Sequence, residues 1–430
     1  MKKVLIISYY WPPAGGVGVL RCLKFSKYLR QFGWEPIIFS PSNANYLISD
    51  FSNLKDIPPD IQILKYPIRE PYKLFKILSG RKKDDPTDPV HVRQKKSFID
   101  NFSIWVRGNF FIPDARCMWI TPSVRYLKNY LKDHPVDAIF TDGPPHTNTV
   151  IGQKLSSQLG IPWLADFQDP WTQADYYKLY KISKWADLRH KKLEQKVFKN
   201  ATKITIASPS WANDLQEIGA QNVDVLFYGY DEDDFRKVVR KIDTEFTIAH
   251  TGLLSRDRNP EVLFRVLNDL NNELPGFKHK LRLNFAGNID FTIRKTIIEN
   301  GLHQNFVDKG FTDRHKAIQL TVNAQLLLLP LNKAENVYGR IPGKFYEYLR
   351  AARPILCLGP QGSDVDKMLK EYEAGECINY NDYAQLKNFI TKRYELYLQG
   401  ENNVPSHSFE KFSSENQTKI LSEYLNRITR

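Results

Sequence analysis

Short apolar runs alternate along the chain with longer stretches in which apolar residues recur every three or four positions. The first run spans residues 4–8 and is closed by Tyr9-Tyr10-Trp11-Pro12-Pro13. An unbroken apolar run of this length suits a strand buried on both faces of a parallel sheet. After Ala14-Gly15-Gly16-Val17-Gly18, the residues Leu20, Leu23, Phe25, Tyr28, Leu29 and Phe32 recur at helical spacing until Gly33,. Residues 35–39 predict a second strand. A β-α-β unit of this kind implies parallel strands and right-handed crossovers. The same rhythm predicts strands at 137–141, 163–167, 203–207 and 223–227, and helices at 124–131, 149–159 and 184–200. Residues 41–120 read as irregular, with an exposed loop at 80–89.

The pattern restarts further on. Tyr228-Gly229-Tyr230-Asp231-Glu232-Asp233-Asp234 is turn-rich and acidic and reads as a linker within 228–245,. Beyond it, strands are predicted at 246–250, 282–286, 307–308, 325–329 and 354–358, with helices at 260–273, 313–323 and 343–351. A last amphipathic helix covers 409–428. The 430 residues exceed what one hydrophobic core usually organises,. The expected division is an N-terminal domain over 1–228, a second domain over 229–408, and a terminal helix, 409–430, returning toward the first. The fold class is α/β, with two Rossmann-like halves.

Composition narrows the functional classes. Apolar residues make up 42% and charged residues 25%, a globular balance,. No run approaches the ~18 residues of a membrane span. The apolar N-terminal stretch stops too early for a signal peptide, whose core needs about 7–15 residues, so a cytoplasmic setting is expected. Cys22, Cys117, Cys357 and Cys377 fit no zinc or disulfide spacing and are expected as buried free thiols,.

The net charge of +13 is uneven. Residues 69–132 hold fourteen Lys/Arg against six Asp/Glu, interleaved with Phe98, Phe102, Trp105, Phe110, Phe111 and Trp119. Residues 178–203 hold eight Lys and Arg189 against Asp187 and Glu194. Basic and aromatic residues together suit an anionic membrane surface. No zinc finger, RNP-type strand or basic zipper points to nucleic acid.

Four segments carry candidate chemistry. Gly15-Gly16-Val17-Gly18 lies between the first strand and helix, where glycines admit a ligand and free N–H groups attract an anion. It is no dinucleotide fingerprint, because Arg21 takes the last glycine position and no acid closes the second strand. His146 and Asp169 follow consecutive strands, on loops that share the carboxyl edge of the sheet. One could bond a sugar hydroxyl, the other tune a proton. The Gly252–Pro260 segment repeats the glycine-loop logic and adds Arg256 and Arg258, which suit phosphate oxygens. In Arg340-Ile341-Pro342-Gly343-Lys344, Pro342-Gly343 opens a helix and places Lys344 in its first turn, against the helix dipole. An anion at that point would explain the placement. Glu347 lies one turn along the same face. Asp231-Glu232-Asp233 and Asp364-Val365-Asp366 have Asp-x-Asp spacing, but read as solvated acids.

Taken in order, these segments resemble the GT-B glycosyltransferases, specifically the large retaining family 4. The resemblance rests on Tyr10 to Gly18, on Leu164-Ala165-Asp166-Phe167-Gln168-Asp169-Pro170-Trp171, on Gly229-Tyr230-Asp231, on the Gly252–Pro260 loop, on Ile341 to Pro354 and on Phe412-Ser413-Ser414-Glu415. It implies two Rossmann-like domains facing across a cleft, a nucleoside-diphosphate sugar donor held mainly by the second, and an acceptor held by the first. It implies no metal and no other cofactor. Carried over, Gly15 and Gly16 would approach the donor diphosphate. Gly252, Arg258 and Lys344 would join the donor phosphate site, and Glu347 would bind ribose as the second acid of an E-x7-E motif. Asp169, His146 and Lys344 become the catalytic candidates. The chain departs from the pattern at Gly339, which replaces the first acid of that motif, with Glu335 the candidate to supply the lost contact. Leu253 stands where the phosphate loop often has Arg, and Gln168 where many members have His. The implied function is transfer, with retention, to a surface-polysaccharide or lipid-linked acceptor, with an anionic membrane surface as a further partner on the inner face of the cell membrane. A UDP-sugar epimerase of the same fold and a non-catalytic membrane or scaffold module are the alternatives.

Overall fold

The computed structural model describes residues 1–46, 48–70, 98–401 and 407–430. The loop expected at 80–89, and positions 71–97 of the basic aromatic stretch, lie outside the described residues. The chain forms two compact units. One comprises residues 1–227 with 414–430, the other residues 228–413.

The N-terminal unit is built on seven strands: β1 (Lys2–Ile7), β2 (Trp34–Pro41), β3 (Gln62–Tyr66), β4 (Ala138–Gly143), β5 (Trp163–Phe167), β6 (Lys203–Ile206) and β7 (Val223–Val225). They lie in the order β3-β2-β1-β4-β5-β6-β7, and all neighbours are parallel. Strand β1 shows why residues 4–7 carry no polar side chain. Leu5 and Ile7 pack with Phe39, Ile139 and Ala165, whereas Val4 and Ile6 pack with Ile38, Phe140 and Leu164. Successive side chains point to opposite faces, and both faces are covered. The helix Ser414–Ile428 belongs to this unit. Its Leu421 and Leu425 enter the core beside Val4 and Ile6, and the Gln417 side chain accepts the N–H of Phe227 at 2.9 Å.

The second unit repeats the plan with β8 (Phe246–Thr251), β9 (Leu281–Ala286), β10 (Phe306–Asp308), β11 (Leu326–Pro330), β12 (Ile355–Leu358) and β13 (Gly375–Ile378), ordered β10-β9-β8-β11-β12-β13 and again wholly parallel. In each sheet the strand order reverses beside the unit's first strand. The carboxyl ends of β1 and β4, and of β8 and β11, are therefore the places where open α/β sheets offer a ligand crevice.

Several expectations need correction. His146 is not a loop residue: it opens the helix His146–Leu159, three residues earlier than the apolar spacing suggested. Of the acids read as solvated, Asp231, Asp364 and Asp366 are buried, whereas Glu232 and Asp233 are half-buried. Asp231 caps a short helix by accepting the N–H of Asp233, and Asp366 accepts the N–H of Gly362 at 2.7 Å and pairs with Lys370 at 2.8 Å. Local backbone donors and nearby cations replace the water these carboxylates would otherwise need. Cys22, Cys357 and Cys377 are buried free thiols, and Cys117 is half-buried.

Candidate functional site

The C-terminal unit gathers four of the proposed residues at one reversal point. Strand β8 ends in His250-Thr251, and Gly252 turns the chain with φ +98°. His250 is buried. Its Nδ1 lies 2.9 Å from the carbonyl oxygen of Leu328 on β11, so Nδ1 carries the proton and donates. Nε2 is then a bare acceptor, and the Lys344 ammonium sits 3.3 Å from it,. Burial and the Lys344 charge hold His250 far below the ordinary imidazole range, which keeps the ring neutral,.

Lys344 reaches this position from the helix Gly343–Ala351, whose N-cap, Pro342, supplies no side-chain cap. One turn on, Tyr348 accepts the Thr251 N–H at 3.0 Å and ties the helix to the end of β8. Burial, reinforced by the Arg258 guanidinium and opposed by Glu347, pulls Lys344 down to about 7. A Cβ on Gly252 would stand 3.0 Å from the Lys344 ammonium nitrogen. Glycine is thus required twice at this residue, for its backbone conformation and for the approach of the cation. Glu347 is half-buried. One of its carboxylate oxygens lies 2.8 Å from Arg314, which also holds Asp234 at 2.6 Å.

The other predicted residues belong to the N-terminal unit. Gly16 precedes the helix Val17–Tyr28 with φ +86°, and a Cβ there would meet nothing within 4 Å. Gly15 is different. Its N–H donates to the Ile48 carbonyl at 2.8 Å, and a Cβ would lie 2.7 Å from the Ile48 side chain. Its role is to let the segment around Ile48 pack against the loop. Its own N–H is committed within the protein. His146 is buried, stacked on Trp171 at 4.5 Å and nearly parallel to it. Burial and the nearby His190 push it down to about 3, so it stays neutral across physiological pH. Asp169 is half-buried at the end of β5. The preceding Gln168 fastens this edge to β4: its N–H donates to Gly143 and its side chain donates to Asp142.

Three residues escaped the sequence reading. His250 left one signal, an ionisable residue near the end of a strand that otherwise carries none. Arg314 left none, because its partners Asp234 and Glu347 are far from it in sequence. Asp142, fully buried at the end of β4, receives hydrogen bonds from Ser8, Asn148 and Gln168. Burial pushes its carboxyl up to about 7.

No protein-family model matches the sequence, and a search of curated proteins found no match. Solved structures do match. Sucrose-phosphate synthase from Thermosynechococcus elongatus aligns over 100% of this chain and 96% of its own, with a TM-score of 0.58 and 14% identity. A variant of S. aureus TarM, solved in complex with fondaparinux, alpha-GlcNAc-glycerol and UDP, aligns over 100% and 99%, with a TM-score of 0.57 and 11% identity. A putative UDP-N-acetylglucosamine 2-epimerase from Listeria monocytogenes aligns over 99% and 96%, with a TM-score of 0.54 and 10% identity. These likenesses span the whole chain and include both wholly parallel sheets. The chain has the GT-B fold.

Proposed function

We propose that the protein is a glycosyltransferase that takes a sugar from a nucleoside-diphosphate donor and passes it, with retention at the anomeric carbon, to a surface-polysaccharide or lipid-linked acceptor. The observation that carries this reading is Lys344. Its ammonium stands in the first turn of a helix, where the dipole disfavours a cation. Arg258 repels it, and its hydrogen-bonding neighbour His250 is neutral. A diphosphate would supply the missing counter-charge. When the bond from the anomeric carbon to the diphosphate oxygen breaks, its electrons stay on that oxygen. Lys344 and Arg258 are assigned to stabilise the charge that develops there. Glu347, oriented by Arg314, is assigned to the ribose hydroxyls. Asp169 in the N-terminal unit is assigned to sugar or acceptor hydroxyls. His146, buried and neutral, serves better to position Trp171 than to carry a proton.

The test is direct. Purified Lys344→Ala and Glu347→Ala should remain folded, lose calorimetric binding of UDP or GDP, and lose product formation across a panel of nucleotide sugars. Near-normal turnover in either variant rejects the assignment. A second reading, epimerisation of a UDP-sugar, is favoured by the likeness to the epimerase structure. Incubation without acceptor separates the two, since an epimerase still converts its substrate and a transferase gives only slow hydrolysis. A non-catalytic module would bind neither nucleotide.

A further inference from the structure

A second feature of the N-terminal unit stands apart from the transferase reading. The helix Lys184–Asn200 turns Ala186, His190, Glu194 and Val197 inward. Its outward face carries Lys184, Arg189, Lys192, Lys196 and Lys199. No ion pair joins any of these five to an acid among the described residues. The sixth cation, Lys191, pairs with Asp187 at 2.8 Å. Near the start of the same helix, Trp185 and Leu188 are 53% and 67% exposed. Trp185, Leu188 and Lys192 share one face by their spacing.

A second helix, Phe98–Phe110, is pinned to this end. The Asn109 side chain accepts the N–H of Ser183 at 2.7 Å and donates to the Lys181 carbonyl, and Ser183 caps the Lys184–Asn200 helix. This helix shows Phe102 and Phe110, 56% and 62% exposed, with Trp105 between them at ring distances of 6.1 and 5.6 Å. Exposed large apolar residues this dense are uncommon on a soluble surface. Here they adjoin a row of uncompensated cations.

We propose that this two-helix surface docks on an anionic lipid bilayer. The aromatic and leucine side chains would enter the headgroup–acyl boundary, and the cations of the Lys184–Asn200 helix would meet anionic headgroups. Tryptophan favours that boundary, and an amphipathic helix with a basic outer edge binds there through combined apolar burial and charge attraction. The rings argue for a bilayer over a nucleic-acid strand. Base stacking needs open ring faces. The Arg189 guanidinium lies 4.8 Å over Trp185, and the Phe102, Trp105 and Phe110 rings pack on one another.

The experiment is co-sedimentation of the full chain with phosphatidylcholine vesicles, with and without phosphatidylglycerol. Binding is expected only with phosphatidylglycerol, and should weaken as salt is raised. Lys184→Ala/Arg189→Ala/Lys192→Ala should lower partitioning about 100-fold, roughly 5-fold per cation. Trp185→Ser/Leu188→Ser should lower it about tenfold. Both variants change exposed side chains only, and thermal melting checks that they fold. Brominated lipid provides a readout that needs no variant: it should quench the tryptophan fluorescence of the wild-type protein. No sedimentation with phosphatidylglycerol vesicles overturns the proposal. So does an absence of quenching. A Trp185→Ser/Leu188→Ser protein that binds like wild type and is stripped by soluble heparin overturns it too, and marks a polyanion site instead.

Discussion

Replacing Lys344 with methionine separates the stability of the donor site from its function. Methionine keeps most of the side-chain volume and removes the charge. In the wild type, Lys344 lies near 7 when folded, because of burial and Arg258, against an ordinary lysine value of about 10.4 in the unfolded chain. The folded state therefore binds fewer protons than the unfolded state between these values, and stability rises with pH across that window. At one decade per ~1.36 kcal/mol, the gain from pH 6.5 to 9.5 is about 2–3 kcal/mol. For a domain of about 150–250 residues that is roughly 5–10 °C in Tm. The Lys344→Met protein lacks this term. Its Tm should exceed the wild-type value most below pH 7, and the difference should shrink steadily toward pH 10. The assay is calorimetric melting of both proteins at matched ionic strength, with and without UDP. UDP should raise the wild-type Tm and leave the variant unmoved, because the nucleotide stabilises only the form that binds it. A variant that melts below wild type at pH 6.5, or a Tm difference flat with pH, refutes the electrostatic account of the site. An equal UDP-induced rise in both proteins refutes the assignment of Lys344 to phosphate.

Other predictions concern the scaffold. Arg21→Ala strands the buried carboxylate of Asp166, which now takes two hydrogen bonds from Arg21 at 2.6 and 2.8 Å; urea unfolding should show a loss of about 3–5 kcal/mol, and a loss under 1 kcal/mol would contradict this. Gly152→Ala should destabilise by about 1–3 kcal/mol despite a helix-propensity gain of up to ~1 kcal/mol, because its Cβ would lie 2.4 Å from the Thr141 methyl and 2.7 Å from the Trp163 indole nitrogen. Asp142 has a folded value near 7, raised by burial, so its contribution is complete below about pH 4 and lost as pH rises through 7, about 2.5 kcal/mol between pH 5 and 8. Asp142→Asn should flatten that decline in a pH series of melting curves, and an unchanged slope would count against the burial argument.

Legibility in the sequence followed burial. Strands β1, β5 and β8 lie inside their sheets and were readable as apolar runs. Strand β3, Gln-Ile-Leu-Lys-Tyr, is an edge strand with one buried residue, so its composition resembles a loop. Strand β13 is the opposite edge of the other sheet and was missed for a similar reason, its first two residues being only partly covered or exposed. In the candidate site, Lys344 was legible because a cation in a helix's first turn breaks a local rule. Its neighbour His250 and the Arg314 clamp on Glu347 depend on contacts spanning 94 and 33 positions, which no local pattern encodes. The acidic linker misled for a related reason. Asp234 reads as the last of a row of linker acids until Arg314 arrives from 80 positions away.

The two units share a topology and a glycine-bearing turn after the first strand, so topology alone does not say which should hold an anionic ligand. Charge compensation does. In the N-terminal unit two cations of the first helix are already paired with acids: Arg21 is locked to Asp166, and Lys24 to Asp56 at 2.7 Å. The Gly15 N–H is taken by Ile48. In the C-terminal unit the corresponding turn faces Lys344, whose close partner is a neutral imidazole and whose nearest acid on the same helix, Glu347, is held by Arg314. Lys344 is half-buried; a cation partly withdrawn from water without a close counter-ion costs stability, and a dianionic diphosphate would recover that cost on binding. The same fold therefore carries a closed electrostatic account in one half and an open one in the other. The open account is what makes the second half the donor side of the proposed reaction.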